Sequence, residues 1–303
     1  MRYGIMDIGS NSICLCVYDV DMEAKKFKTL FKEKIMAGLA GYIKDGEMSP
    51  EGVAKACESI EELKNILDSL EIDKYSVFAT APLRNISNTQ ETLVMIKKAT
   101  GVDVDVISGY DEAVLSYAGA LNDTDMEKGL FIDSGGGSTE FVVFEKDNIK
   151  EAISVPIGSL KLYTCFVKKI LPSKKETEKI GRCIKKSLKS SGIRGSQRQE
   201  SAFCVGGPAR AALKFARSLF GIPKGENVIP ASQLEKMVDF LCGDKKRAAE
   251  TILKICPERI STIIPGVLIL NGSVQEFGSE RVIVSGFGVR EGYLCQRVMA
   301  KER

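Results

Sequence analysis

Apolar positions run through 3–8 and 12–20 on either side of the polar turn Gly9-Ser10-Asn11-Ser12, a spacing that predicts a β-hairpin, with 26–36 as a further strand. Ser49 and Pro50 then introduce a stretch to Leu70 whose apolar residues recur three and four apart. A Ser N-cap with Pro at the first helical position predicts a helix there. Residues 76–81 read as a short strand, with Pro82 and Arg84 in a following loop, and Asn88 as the cap of a helix ending near Thr100. Residues 104–107 form another strand pattern, and Ser108-Gly-Tyr-Asp111-Glu112 opens a helix through Ala120. The polar stretch 122–129 reads as a linker. A second hairpin starts at Leu130, Ser173–Ser190 has helical spacing, and a Gly/Ser/Arg-rich loop follows. Residues 203–220 read as strand, glycine turn and helix, and 282–300 repeat that grammar. The alternation predicts an α/β fold. With 303 residues, two domains are expected, 1–121 and 122–303, and a last helix at about 289–303 that could pack back on the first.

The two hairpins are near copies 126 positions apart, with Asp7 matching Asp133, Gly9 matching Gly135 and Ser12 matching Ser138. A plain hairpin explains one Asp-Gly-Ser turn easily; two with the same offsets are harder to assign to chance. Glycine lets the backbone approach closely, so the N–H groups of Gly9, Ser10, Asn11 and Ser12, and of Gly135, Gly136, Gly137 and Ser138, can line up on phosphate oxygens. Asp7 and Asp133 at the strand ends, with Glu140 beyond the second turn, can hold Mg²⁺ beside those phosphates, with Mn²⁺ as the alternative. Neither turn leads into a helix, which separates them from dinucleotide and P-loop fingerprints. Gly206 and Gly207 do precede a helix and offer a backbone anion site.

Histidine is absent, so Ser-His-Asp catalysis and His-ligated metals are excluded and any general base is Asp, Glu, Lys, Tyr or Cys. Nine scattered cysteines without CxxC spacing read as reduced thiols. No apolar run approaches the roughly 20 residues of a membrane span, and the N-terminus enters a strand without a signal-peptide pattern, so a cytoplasmic protein with no membrane partner is expected. Net charge is only +3, but between Lys168 and Arg198 eleven basic residues face two glutamates. That block is either a solvated helix surface or a strip that attracts a polyanion.

Seven segments, MDIGSNS at 6–12, ATAPLR at 79–84, ISGYDEA at 107–113, FIDSGGGSTEF at 131–141, PIGSLKL at 156–162, VGG at 205–207 and VSGFGVREG at 284–292, resemble in order and spacing the exopolyphosphatase / guanosine pentaphosphate phosphohydrolase family. That family lies within the actin, heat-shock ATPase and sugar-kinase superfamily. The resemblance implies two ribonuclease-H-like domains with an interdomain cleft, and places the catalytic carboxylate on Glu112, with Asp133 in support. It also favours Arg84 as a phosphate ligand, where a guanidinium could fork onto phosphate oxygens. Three positions depart from the family pattern. Pro208 replaces a threonine, Ser261 stands where an aspartate is usual, and 36–48 lacks an acidic residue of the corresponding region.

The resulting expectation is a Mg²⁺-dependent phosphohydrolase acting on inorganic polyphosphate, with guanosine pentaphosphate as second substrate. The alternatives are an ATP-using kinase-like relative and a catalytically weak alarmone-binding module. No nucleic-acid partner is expected, and a homodimer is compatible with the sequence.

Overall fold

Both expected hairpins form, and each grows into a sheet of the same strand order. The computed structural model describes residues 1–146, 148–193 and 198–300. It divides into two units, Met1–Leu115 with Val289–Arg303, and Ser116–Gly288. In the first unit β1 (Arg2–Ile8), β2 (Ile13–Asp21) and β3 (Lys26–Ile35) form an antiparallel meander. A small ribbon, β4 (Ile43–Lys44) and β5 (Glu47–Met48), precedes α1 (Pro50–Ser69). Then β6 (Tyr75–Ala79), α2 (Ala81–Arg84), α3 (Thr89–Thr100), β7 (Val104–Val106) and α4 (Gly109–Ala120) complete it. The sheet order is β3-β2-β1-β6-β7, with β6 and β7 parallel to β1.

The second unit repeats this plan. Its meander is β8 (Lys128–Ser134), β9 (Thr139–Glu145) and β10 (Asn148–Val155), followed by α5 (Ser159–Phe166) and α6 (Lys174–Ser190). Next come β11 (Ser201–Val205), α7 (Gly206–Phe220), β12 (Val228–Pro230), α8 (Ala231–Cys242), α9 (Lys245–Ile255), α10 (Ile263–Phe277) and β13 (Arg281–Val284). The order is β10-β9-β8-β11-β13-β12, the first five strands matching the other sheet and β12 adding an antiparallel edge. Each unit therefore has ribonuclease-H-like topology. The division falls at Leu115/Ser116 within α4, and the expected linker 122–129 lies inside the second unit. Beyond β13 the chain rejoins the first unit through α11 (Val289–Tyr293) and a π-turn, Leu294–Val298.

Period-two alternation sorts the central strands onto two faces. Met6 and Ile8 pack with Ile60, Leu63 and Leu67 of α1, whereas Ile5 faces the opposite cluster with Phe78, Leu115 and Leu294. Phe78 stacks on Tyr293 with ring centroids 4.8 Å apart. Asp7 shares the face of Ile5 by the same rule. In the second unit Leu130 and Ile132 enter the main core with α7 and α10, and Phe131 contacts Tyr117 of α4 on the other side. Asp133 accordingly lies on the α4 face.

Three expectations are corrected in detail. Arg84 ends a short helical turn rather than lying in an open loop. Asn88 stands at the N-cap of α3 without capping it; its side chain instead accepts from Met48 N at 2.9 Å and donates to Met48 O at 3.0 Å. The segment 221–281, which carried no strong sequence signal, supplies three helices and an edge strand. Part of the Gly/Ser/Arg-rich loop, 194–197, lies outside the described residues.

The start of α6 follows the expected pattern closely. Ser173 caps it through a reciprocal box, its Oγ accepting from Glu176 N while the Glu176 carboxylate accepts from Ser173 N at 2.6 Å. Hydrogen bonds from the Ser173 backbone and hydroxyl hold the Glu176 carboxyl below the ordinary glutamate range. The folded pKa is thus below the unfolded one, so this contribution is present above the unfolded value and is lost as pH falls through the folded one. Ser173→Ala is expected to lower stability by about 1 kcal/mol at pH 7 in urea denaturation. The penalty should shrink in acid, once Glu176 is protonated.

Candidate active site

In an open α/β sheet the chemistry gathers at the carboxyl ends of the parallel strands, because that is where strands give way to turns and helix N-termini. Both units follow this rule. Asp7 is the penultimate residue of β1, Arg84 ends the turn after β6, and Glu112 lies in the first turn of the helix after β7. Asp133 occupies the matching place on β8, and Gly206 and Gly207 follow β11.

The two turns are alike in hydrogen bonding as well as sequence. Gly9 N donates to Ser12 O at 3.1 Å, and Gly135 N to Ser138 O at 3.0 Å. A Cβ on Gly9 would lie 3.1 Å from Ser12 O, and one on Gly135 3.2 Å from Ser138 O, so a side chain at either would press on the turn it closes. The turn carbonyls are used by the segments that follow. Gly38 N donates to Asn11 O at 3.0 Å and Ala40 N to Ser10 O at 2.9 Å. In the second unit Ser159 N donates to Gly135 O, and Leu160 N and Lys161 N to Gly136 O, all at 3.0 Å. The amides differ from the carbonyls. Among the described residues, the N–H groups of Ser10, Asn11 and Ser12, and of Gly136, Gly137 and Ser138, have no protein acceptor. Ser10 and Ser138 are 6% and 4% exposed, and peptide groups this shielded normally have partners. Two clusters of such amides are well suited to anions.

The acids around the turns have diverged. Across the first hairpin Asp7 opposes Cys14; across the second Asp133 opposes Glu140. Directly opposed residues project from one face, so Asp133 and Glu140 form an acid pair. Asp133 accepts a short hydrogen bond from the buried Ser116 hydroxyl, and Glu140, 1% exposed, accepts from Ser154 Oγ at 2.7 Å. Burial, and then the charge of Asp133, push the neighbouring Cys204 thiol's pKa up, so it stays protonated. Asp7 instead meets Arg290 Nη1 at 3.1 Å, with both side chains largely buried. Beside Arg290, Glu291 accepts from Tyr18 Oη at 2.6 Å. Among the described residues no three His, Cys, Asp or Glu side chains gather into a protein-only metal cage. Mg²⁺ commonly uses one or two carboxylates with water and substrate phosphates, and Asp133 with Glu140 fits that requirement. Asp7, balanced by Arg290, fits it less well.

Arg84 and Glu112 come as a pair. Arg84 Nη1 donates to Glu112 Oε2 at 2.6 Å and to Ile107 O at 3.3 Å. The adjacent acid is committed elsewhere. Asp111 accepts from Ser108 Oγ at 2.8 Å while its own N–H donates back to that hydroxyl, and it lies 3.4 Å from Arg297. The structure thus separates a carboxylate engaged by Ser108 and Arg297 from a buried one, and the buried one is Glu112, 7% exposed.

Gly206 has φ +93°, and a Cβ there would meet Ser134 O at 2.2 Å and Asp133 Oδ1 at 3.0 Å. This backbone shape carries the N-terminus of α7 to Asp133. Pro208 lies in the first turn of α7, where a peptide N–H has no intrahelical partner, and packs on Gly266. Sequence reasoning missed two residues here. Arg290 reads as an ordinary charge in a glycine-rich segment. Arg259 lies two positions before the noted Ser261, in a Pro-Glu-Arg turn that resembles surface. Its guanidinium covers Gly207, the nearest nitrogen 2.2 Å from where a Cβ would be. Burial lowers its pKa from the ordinary arginine value, and among the described residues it has no hydrogen-bonded or ion-pair partner. A shielded cation at the positive end of a helix favours an anion there.

Removing Arg290 leaves the Asp7 carboxylate shielded without its cation. Arg290→Met is expected to cost about 3–5 kcal/mol in urea denaturation, and adding Asp7→Asn should recover a large part of it. Strictly additive losses in the double variant would contradict the pairing.

Comparison with known proteins shows the family and the fold. Residues 17–301 match the model of the Ppx/GppA phosphatase family. The chain is 22% identical over 311 residues to Exopolyphosphatase 1 of Mycobacterium tuberculosis, covering 98% of this chain and 88% of that protein. The corresponding Mycobacterium leprae protein is also 22% identical, with 98% and 90% covered. Among solved structures, an exopolyphosphatase from Cytophaga hutchinsonii superposes with TM-score 0.86 at 22% identity, covering 98% of this chain and 99% of that one. The Aquifex aeolicus member of the Ppx/GppA family gives 0.81 at 22% identity, covering 100% and 99%. With nearly its whole length matched to the family model, the chain belongs to the Ppx/GppA phosphatase family.

Proposed function

We propose that this protein is a Mg²⁺-dependent exopolyphosphatase that releases terminal orthophosphate from inorganic polyphosphate. Guanosine pentaphosphate, which presents the same terminal phosphoanhydride, is the second substrate in this reading. The observation that carries it is the matched pair of turns with unpartnered amides, since a run of phosphates offers many acceptor oxygens and little else to recognise. The relatives named exopolyphosphatase support the choice of substrate.

In this proposal the amides of 10–12 and 136–138 bind phosphate oxygens, and Arg259 with the α7 N-terminus adds positive potential. Arg84 fixes the orientation of the Glu112 carboxylate, which accepts a proton from the attacking water. The water oxygen bonds to the terminal phosphorus as the bridging P–O bond breaks, and the departing chain keeps that electron pair. The proton on Glu112 then passes to product phosphate or solvent. Asp133 and Glu140 would hold Mg²⁺, which when bound supplies charge neutralisation at the phosphates. Asp7, fixed by Arg290, lines the first turn and orients water.

Phosphate release should be measured from long polyphosphate, guanosine pentaphosphate and ATP, with Mg²⁺ and with EDTA. Release from polyphosphate, lost with EDTA and reduced about 10²–10⁴-fold in Glu112→Gln, is the expected result. Glu140→Gln should raise the Mg²⁺ concentration needed for half-maximal rate. Turnover of ATP alone, or a fully active Glu112→Gln protein, would overturn the proposal.

A further inference from the structure

The basic block noted in the sequence is not used by the chemistry above. Helix α6 carries seven basic residues, and all seven side chains are exposed. At 100° per residue, Lys174, Lys185, Lys189, Arg182, Lys175, Lys186 and Lys179 fall, in that angular order, within an arc of about 140°. Only Glu178 interrupts them, because Glu176 is committed to the N-terminal capping box. Ile180, Ile184 and Leu188, each at most 2% exposed, fill the opposite face and pack into the core.

A helix surface that is merely solvated usually alternates its charges, since Glu and Lys three or four apart support each other and like charges oppose helix formation. This helix does the reverse. Lys175–Lys179, Arg182–Lys186 and Lys185–Lys189 are like-charged neighbours four apart, and Lys179–Arg182, Arg182–Lys185 and Lys186–Lys189 three apart. Among the described residues, none of the seven forms an ion pair. Repulsion within the strip is relieved by a polyanion laid along it.

The chemistry of the strip narrows the occupant. Its apolar residues are buried in the core, so the helix cannot enter a lipid interface as an amphipathic anchor does. It contains no aromatic residue on which a base could stack, the usual second component of single-stranded nucleic-acid binding. What it offers is charge alone, suited to a chain of phosphates without bases. Its position is also suitable. The first N–H groups of α5 are bonded to the carbonyls of the second turn, and from the end of that helix the chain passes exposed Lys168 and Lys169 into α6. Eight residues of helix span about 12 Å, so only a substrate many phosphates long can occupy both the turn and the strip.

We infer that the basic face of α6 is a second binding site for the distal part of a long inorganic polyphosphate, giving the enzyme a preference for long chains. This inference rests on the exopolyphosphatase reading. The test combines Lys175→Gln, Lys179→Gln, Arg182→Gln and Lys186→Gln in one variant, with Lys175→Arg, Lys179→Arg, Arg182→Lys and Lys186→Arg as the charge-preserving control. Glutamine keeps nearly the helix propensity of lysine. For long polyphosphate, the neutral variant should raise KM about tenfold or more and flatten the slope of log KM against log salt by about 3, as four cations require. Its kcat/KM on tripolyphosphate should be unchanged, and the control should behave as wild type.

Retardation of long polyphosphate in gels, with and without single-stranded RNA of equal charge as competitor, reads the strip independently of turnover. If the wild type hydrolyses nothing, the functional reading fails while this assay still decides the strip. Equal KM values for wild type and neutral variant on long chains, or undiminished retardation by the neutral variant, would overturn the inference. RNA displacing polyphosphate at lower concentration would overturn its choice of occupant.

Discussion

Among the described residues, six peptide N–H groups in two four-residue turns have no protein partner, and much of the surrounding structure keeps them that way. Two of them belong to the buried residues Ser10 and Ser138, where peptide amides are ordinarily bonded, because an unmade hydrogen bond in a shielded site destabilises the fold. Here each turn closes with one hydrogen bond through glycine, and its outward carbonyls are taken up by the segment 38–40 or the start of α5. That leaves donors without competing acceptors, the condition for binding an anion whose every oxygen accepts. The repeated sheet order then places the other groups at the same strand ends, so two copies of one fold carry related turns with different side chains.

The divergence between the copies carries the chemical information. One hairpin sets Asp7 across from Cys14 and balances it with Arg290; the other sets Asp133 across from Glu140. In the proposal above, the first orients water and the second would hold the cation. The Arg84–Glu112 pair adds a carboxylate whose orientation is fixed by a guanidinium 2.6 Å away. With histidine absent from the chain, proton transfer in the proposed mechanism falls to this buried acid.

Features written in neighbouring residues were readable from the sequence. The hairpins, α1 with its Ser-Pro start and α6 with its capping box are each set by local spacing and capping. The preference for Glu112 over Asp111 rests on family resemblance; in the structure Asp111 is engaged by Ser108 and Arg297, whereas Glu112 is buried against Arg84. Features that depend on distant partners were not readable. Arg290 meets Asp7 across 283 positions. Arg259 acquires its character only by lying on Gly207, which no local pattern reveals. Asn88 looked like a cap and was drawn off by the backbone of Met48, forty positions away. Between α8 and α9 the local signal is the pair Gly243-Asp244, whose carboxylate caps α9, while α10 is apolar on most of its surface and is specified by packing.

The central claim is that the amides of each turn bind phosphate oxygens. It is tested most directly by NMR of Glu112→Gln protein labelled with ¹⁵N at glycine, serine and asparagine, titrated with tripolyphosphate in Mg²⁺. The account predicts that the amide signals of Ser10, Asn11 and Ser12, and those of Gly136, Gly137 and Ser138, shift as tripolyphosphate is added. Shifts confined to one turn, or absent from both, would contradict it.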